Sequence, residues 1–276
     1  MSAHVSGTAT PATTDAEVPP ESTLPYPPLH ENASFVVLSD WDGTITTFDS
    51  NDHLTDNYGM GYDARRVLSE KMLAGTLNFR DGFGAEINSV ASTLKWDEAK
   101  EIVAREVQID STFAAFESWC AKHEVPVVVV SSGMEPFIRA VLNKAVGEEQ
   151  GERHIDIIAN DADVREDGSW NIKFRHPTSG FGHDKSQAIK PYRALPSRPF
   201  LFFFGDGVSD LSAARHADLL FVKQKSGEND LAAYCRREGI PFVLFEDFGG
   251  ALKAVKAIVT GEMTREQVLA LEFVRA

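Results

Sequence analysis

Six short apolar runs, unbroken except at Asp156, govern what this chain can fold into. They are Phe35 to Leu38, Val125 to Val130, Ile155 to Ala159, Phe200 to Phe204, Leu219 to Val222 and Pro241 to Phe245. A strand with one wet face alternates apolar and polar residues, whereas a strand covered on both faces reads as a continuous run. Helical patterns follow most of the runs: Pro136 to Lys144, Lys185 to Tyr192, Glu228 to Glu238 and Gly250 to Thr260. Strands alternating with helices imply right-handed crossovers, so the expected class is α/β, a Rossmann-like doubly wound parallel sheet. The pattern leaves the strand order open.

Between the first two runs, Ser39 to Glu124 shows helical patterning and no convincing strand: Asp63 to Leu73, Phe79 to Leu94, Asp97 to Val107 and Thr112 to Lys122. One crossover helix needs far less chain. The excess predicts an inserted helical cap over residues 47–107, with the core built from 32–46 and 108–276. The helix from Thr112 to Lys122 is expected to return to that core. Asp161 to Phe174 carries Glu166-Asp167-Gly168-Ser169 between short stretches of mixed polarity, the pattern of a β-hairpin. Residues 1–31 contain Pro11, Pro19, Pro20, Pro25, Pro27 and Pro28 among small and polar residues, and read as a disordered N-terminal arm.

Charge narrows the function. The formal net charge of −14 argues against nucleic acid as a partner. It does not argue against a small anionic substrate, because a metal ion and one lysine can reverse the field inside a pocket. No apolar run approaches the roughly 18 residues of a membrane span, and the N-terminus lacks the basic start and apolar stretch of a secretory signal. Cys120 and Cys235 match no metal spacing and read as reduced structural thiols. His53, His123, His154, His176, His183 and His216 show no paired metal spacing and read as structural. A cytoplasmic location is expected, with no membrane partner and no oligomeric state implied.

In an open α/β sheet, ligands bind beyond the carboxyl ends of the strands. After the first run comes Asp40-Trp41-Asp42-Gly43-Thr44, and after the second Ser131-Ser132-Gly133. Lys185 opens a later helix, and Gly205-Asp206-Gly207-Val208-Ser209-Asp210 follows the Phe-rich run. Residues two apart at a strand end point the same way, so Asp40 and Asp42 can face one site. DWDGT alone could be turn chemistry, SSG an ordinary loop and a lone lysine a solvated charge. The calcium-loop reading of GDGVSD lacks the closing Glu.

Together and in this order, the four clusters resemble the motifs of the haloacid dehalogenase-like phosphatases. The phosphoserine phosphatase-like branch fits best, which includes methionine-salvage enolphosphate phosphatases and fungal polyol phosphatases. The insertion resembles that branch's helical (type C1) cap. The resemblance implies a phosphoric monoester hydrolase with Asp40 as the covalent nucleophile. It makes Asp42 the acid/base, protonating the leaving alkoxide and then deprotonating water. Gly43, Thr44, Ser131, Ser132, Gly133 and Lys185 would hold phosphate. Mg²⁺ would be held by Asp40, the carbonyl of Asp42 and Asp206, with Asp210 one shell out.

The cap bears on substrate. Phosphoserine phosphatases carry a carboxylate-gripping arginine a few residues after an Asn-Phe or Asp-Phe pair. Here the pair is Asn78-Phe79, and the same count reaches Glu86. Asp49 occupies the other substrate-facing position after the first motif. Two acidic groups suit hydroxyls and repel a carboxylate, pointing to a sugar or polyol phosphate. Arg65 and Arg80 are alternative sources of the missing cation. Enolphosphate or phosphoserine hydrolysis, or phosphotransfer to a sugar, are the competing activities. A receiver-like phospho-aspartate module is disfavoured by the chain's length, its insertion and Asp42. The intact Asp40, Asp42, Lys185 and Asp206 argue against a catalytically dead binder.

Overall fold

The computed structural model describes residues 19–146, 155–225 and 230–276. Its eight-stranded sheet comprises β1 (Phe35–Ser39), β2 (Val127–Met134), β3 (Asp156–Val164), β4 (Trp170–Lys173), β5 (Phe200–Gly205), β6 (Leu219–Lys223), β7 (Phe242–Phe245) and β8 (Phe273–Val274). The order is β4-β3-β2-β1-β5-β6-β7-β8. All neighbours are parallel except β3 and β4, which pair antiparallel as the expected hairpin, with Asp161 opposite Lys173 and Val164 opposite Trp170.

The continuous apolar runs have a direct explanation in the two faces of the sheet. Val37, Val127, Val129, Phe202, Phe204 and Phe221 enter one buried cluster, and Val36, Leu38, Val128, Leu201 and Phe203 enter the other. The first is covered by α5 (Phe113–Lys122) and α10 (Phe248–Val259), where Phe113, Phe116 and Phe248 interlock with Phe204 and Phe245. The second is covered by α7 (Ser186–Arg193), α8 (Leu211–Ala214) and α9 (Asp230–Glu238), through residues such as Ile189, Ala213 and Leu231. Among the described residues no helix is long and apolar enough to cross a membrane.

Four helices lie between β1 and α5: α1 (Ser50–Tyr58), α2 (Tyr62–Leu73), α3 (Phe79–Ala91) and α4 (Trp96–Glu106). A bridge between Thr46 and Ile109 closes the neck where this insertion leaves and rejoins the sheet. The sequence patterns did not anticipate α1, which is mostly polar; the side chain of Asp49 caps it by accepting from the backbone N–H groups of Asn51 and Asp52. Trp96 anchors the last helix, stacking on Phe137 of α6 (Glu135–Val146) and meeting Trp170 edge-on.

The arm expected to be disordered needs correction where it is described. Residues 1–18 and 147–154, with His154, lie outside the described residues, as do positions 228 and 229 of the expected helix from Glu228. Residues 22–26 form neither helix nor strand, yet they are pinned. Thr23 donates its N–H to the carbonyl of Arg175 at 2.8 Å, and the guanidinium of Arg175 stands 4.7 Å from the ring centroid of Tyr26. Carbonyls free of helix or sheet bonding find a buried partner in Arg175, which composition does not reveal.

Candidate active site

β1 and β5 are neighbours, with Ser39 opposite Phe204, yet β1 is followed in the chain by β2 on its other side. The crevice at the carboxyl ends of β1 and β5 is therefore the topological switch point. Asp40 leaves β1 there, and Asp206 leaves β5.

The turn after β1 folds tightly, because the carbonyl of Trp41 accepts from Ile45 and Thr46. Trp41 is buried in the core, so its neighbours Asp40 and Asp42 take the opposite side. Gly43 adopts φ +71°, and a Cβ there would lie 2.5 Å from a carboxylate oxygen of Asp206. That position requires glycine for both conformation and space.

Lys185 is fully buried and donates to Asp40 Oδ1 at 2.6 Å and Asp210 Oδ1 at 2.7 Å. Burial alone would lower its proton affinity; Asp210 and Asp40 outweigh it and hold the ammonium charged. Asp210 also accepts from the N–H groups of Asp206 (2.9 Å) and Gly207 (3.2 Å), which fixes the loop after β5. Asp40, Asp206 and Asp210 are all buried, each offering an oxygen within 4.8 Å of the others. Burial, and then the charge of Asp210, raise the proton affinity of Asp40 well above the usual carboxylate range.

Asp42 is held from the insertion. Its Oδ1 accepts from the N–H of Ser50 at 2.8 Å and from the Ser50 hydroxyl, and its Oδ2 from the amide of Asn51 at 2.7 Å. Burial, followed by repulsion from Asp49, moves its pKa up to about 8. A carboxyl so tuned can carry a proton at neutral pH and still surrender it.

Ser131-Ser132-Gly133 lies within β2 rather than after it, at the irregularity between Val130 and Met134, and this local turn of the strand faces the pair, since a Cβ on Gly133 would stand 3.3 Å from Asp42 Oδ2. Ser131 Oγ accepts from the N–H of Gly133 at 2.9 Å. Ser132 Oγ is buried without a hydrogen-bond partner. The Thr44 hydroxyl donates to Asp206 Oδ1 at 3.2 Å.

Several cap expectations change. Arg65 is a poor substitute for the missing arginine, because it grips both oxygens of Asp56 (2.6 and 2.8 Å) and pairs with Asp52 at 2.7 Å. Arg80 pairs with Asp81 and donates to the carbonyl of Pro177. Asp49 spends one oxygen on the α1 cap. Phe79 stacks on Phe83 at 5.5 Å and packs into the core. Glu86 is buried, its Oε1 has no hydrogen-bond partner, and burial followed by the charge of Asp52 moves its pKa to about 8.

The sequence reading missed four contributors, Ser50, Asn51, Lys225 and His183. Ser50 and Asn51 are ordinary helix-start residues until they close on Asp42. Lys225, from the loop after β6, contacts Asp206 Oδ2. His183 reaches the carbonyl of Ser131 at 2.7 Å. Only the neighbouring Lys185 gave His183 a signal.

Comparisons with known proteins converge on this arrangement. Residues 37–215 match the family model of haloacid dehalogenase-like hydrolases. The chain is 46% identical over 232 residues to Pdp3-interacting factor 1 of Schizosaccharomyces pombe, covering 83% of this chain and 98% of that protein. It is 38% identical over 242 residues to the polyol phosphate phosphatase PYP1 of Saccharomyces cerevisiae, covering 85% and 98%. A phosphoserine phosphatase structure from T. onnurineus superposes with a TM-score of 0.59 at 18% identity, covering 82% of this chain and 96% of that one, a likeness of fold. The chain therefore belongs to the haloacid dehalogenase-like hydrolase family, as a phosphatase of the phosphomonoester-hydrolysing class.

Proposed function

We propose that this protein hydrolyses a sugar or polyol phosphate, with Asp40 as covalent nucleophile and Asp42 as general acid and base. In this reading residues 47–107 form the cap that selects the substrate. The observation that carries the reading is the buried contact of Lys185 with Asp40 and Asp210, beside an Asp42 poised to hold a proton. Lys185 neutralises Asp40 and stands ready for the charge of an arriving phosphoryl group. Asp40 attacks phosphorus while Asp42 delivers its proton to the leaving alkoxide. Asp42, now anionic, then takes a proton from the water that releases phosphate. Ser50 and Asn51 keep its carboxylate aimed throughout. Ser131, Ser132 and local N–H groups hold the phosphoryl oxygens.

Mg²⁺ fits the donor set. Asp40 and Asp206 would offer hard carboxylate oxygens and the Asp42 carbonyl a third ligand, with Asp210 as an outer partner. The proton affinity of Asp40 is raised by burial and by its acidic neighbours, as expected of a cluster short of positive charge. The ammonium of Lys225 against Asp206 supports a cation at the same place. When bound, the ion would offset the negative charge that gathers on the transferring group.

Two observations support a hydroxyl-rich substrate. PYP1, the 38% identical relative, is named for polyol phosphates. Glu86 leaves a buried oxygen without a partner, while Asp52 and Asp56 already neutralise Arg65. A buried carboxyl oxygen without a partner suits a substrate hydroxyl, which can donate to it. A panel of phosphate esters assayed with Mg²⁺, with Asp40→Asn as the blank, tests this. Polyol and sugar phosphates are expected to lead; a strong preference for phosphoserine or an enolphosphate would reject the substrate assignment.

A further inference from the structure

We propose that residues 22–26 form a strap that sets the geometry of the phosphate-holding turn, with Arg175, His176 and Asn160 as positioning residues. The inference rests on the proposed role of Ser131-Ser132-Gly133.

Two chains of hydrogen bonds, part-buried at the strap and buried at the far end, run from the strap to that turn. In the first, the Arg175 guanidinium donates to Ser22 Oγ (3.2 Å) and to the carbonyls of Leu24 (3.1 Å) and Pro25 (3.1 Å). Its Nε donates to the carbonyl of Ala159 within β3 (3.0 Å). The N–H of Arg175 donates to Asn160 Oδ1 (2.9 Å), and Asn160 Nδ2 donates to the carbonyl of Ser132 (2.7 Å). Arg175 is 4% exposed and Asn160 0%, so neither can turn to water for an alternative partner.

In the second chain, the Tyr26 hydroxyl meets His176 Nε2 at 2.8 Å. His176 Nδ1 accepts from the N–H of Asp184 (3.0 Å), which places the proton of the neutral ring on Nε2. His183, next in the chain to Asp184, must donate from Nδ1 to the carbonyl of Ser131, because a carbonyl only accepts. His176 and His183 are both buried, with ring centroids 5.4 Å apart. Thus each of the two serine carbonyls is gripped by a side chain whose support traces back to the strap. The same loop delivers Lys185.

The function of this grip is orientation. With the carbonyls of Ser131 and Ser132 fixed, the turn's hydroxyls and N–H groups are aimed before phosphate arrives. Removing the strap strips three acceptors from a buried guanidinium, and the network must rearrange to satisfy it.

A chain beginning at Pro27 and a full-length Arg175→Lys variant test the proposal. Each is assayed with Mg²⁺ for KM of the preferred ester and for inhibition by inorganic phosphate. Both constants are expected to weaken by about tenfold, corresponding to roughly 1.4 kcal/mol. Val274→Ala, in β8, is a comparator that loosens the fold away from the network and should leave both constants unchanged. Ser131→Ala separates the two readings. If it fails to weaken phosphate inhibition, the turn is not the phosphate holder. If it weakens inhibition while the shortened chain and Arg175→Lys stay within about twofold of wild type, the strap proposal is overturned. Should the shortened chain not fold, Arg175→Lys decides.

Discussion

The floor of the site and the insertion above it treat charge in opposite ways. On the floor, Asp40, Asp206 and Asp210 are met by Lys185 and Lys225 in direct contact. In the insertion, Asp52 and Asp56 share Arg65, while Glu86 is left with an oxygen that has no hydrogen-bond partner. A reaction centre must have its charges set before substrate arrives, because reorganisation during the reaction adds to the barrier. A selectivity surface must instead leave a group unsatisfied until the right substrate satisfies it. In the proposed reading, chemistry and choice of substrate fall to separate residues, joined where Ser50 and Asn51 hold Asp42.

Substitutions can break that division. Asp42→Asn should lower kcat by about 10²–10⁴-fold, to a similar extent for every ester tested, because it removes proton transfer and leaves the insertion intact. Steady-state kinetics on two unlike esters checks this; a loss confined to one ester would erase the division. Lys185→Met leaves Asp40 and Asp210 buried without their cation. Denaturant unfolding should show a loss of roughly 3–5 kcal/mol, along with abolished turnover.

Changes in the insertion should behave differently. Glu86→Gln should raise KM for a polyol phosphate about tenfold, while kcat/KM for a small aryl phosphate changes less than about twofold. The same variant has a signature in stability. Burial raises the folded pKa of Glu86 to about 8 from an ordinary 4.5. The protonated carboxyl therefore favours folding, fully below pH 4.5, and this contribution is lost as pH rises through 8. Relative to wild type, Glu86→Gln should gain about 2–4 °C in Tm at pH 9 and nothing at pH 4. Equal shifts at both pH values would show that the carboxyl is charged throughout.

How much of this was legible in sequence follows from the range of each interaction. The parallel sheet was readable because covering both faces leaves a local trace, runs such as Phe200 to Phe204. The strand ends then placed Asp40, Ser131 and Asp206 at one edge, and the structure brings them together with Lys185. The two-residue strand β8 left no such trace, since Phe273 and Val274 pair with β7 only through the tertiary fold. Helix α1 was hidden by its polar sequence, and its start matters through contacts with Asp42. Arg65 looked like an available cation because sequence cannot show that Asp52 and Asp56 surround it. The pinning of residues 22–26 was equally hidden, because its partners, Arg175 and His176, lie some 150 positions away.

The most direct test of the account is to capture the intermediate. Enzyme mixed with a turned-over phosphate ester and Mg²⁺, quenched in acid and digested, should carry phosphate on the peptide containing Asp40. The label should be lost on mild alkali, as an acyl phosphate would be, and be absent from Asp40→Asn. Phosphate on Ser131 or Ser132, or wild-type turnover by Asp40→Asn, would contradict the assignment of the reaction to the floor of this site.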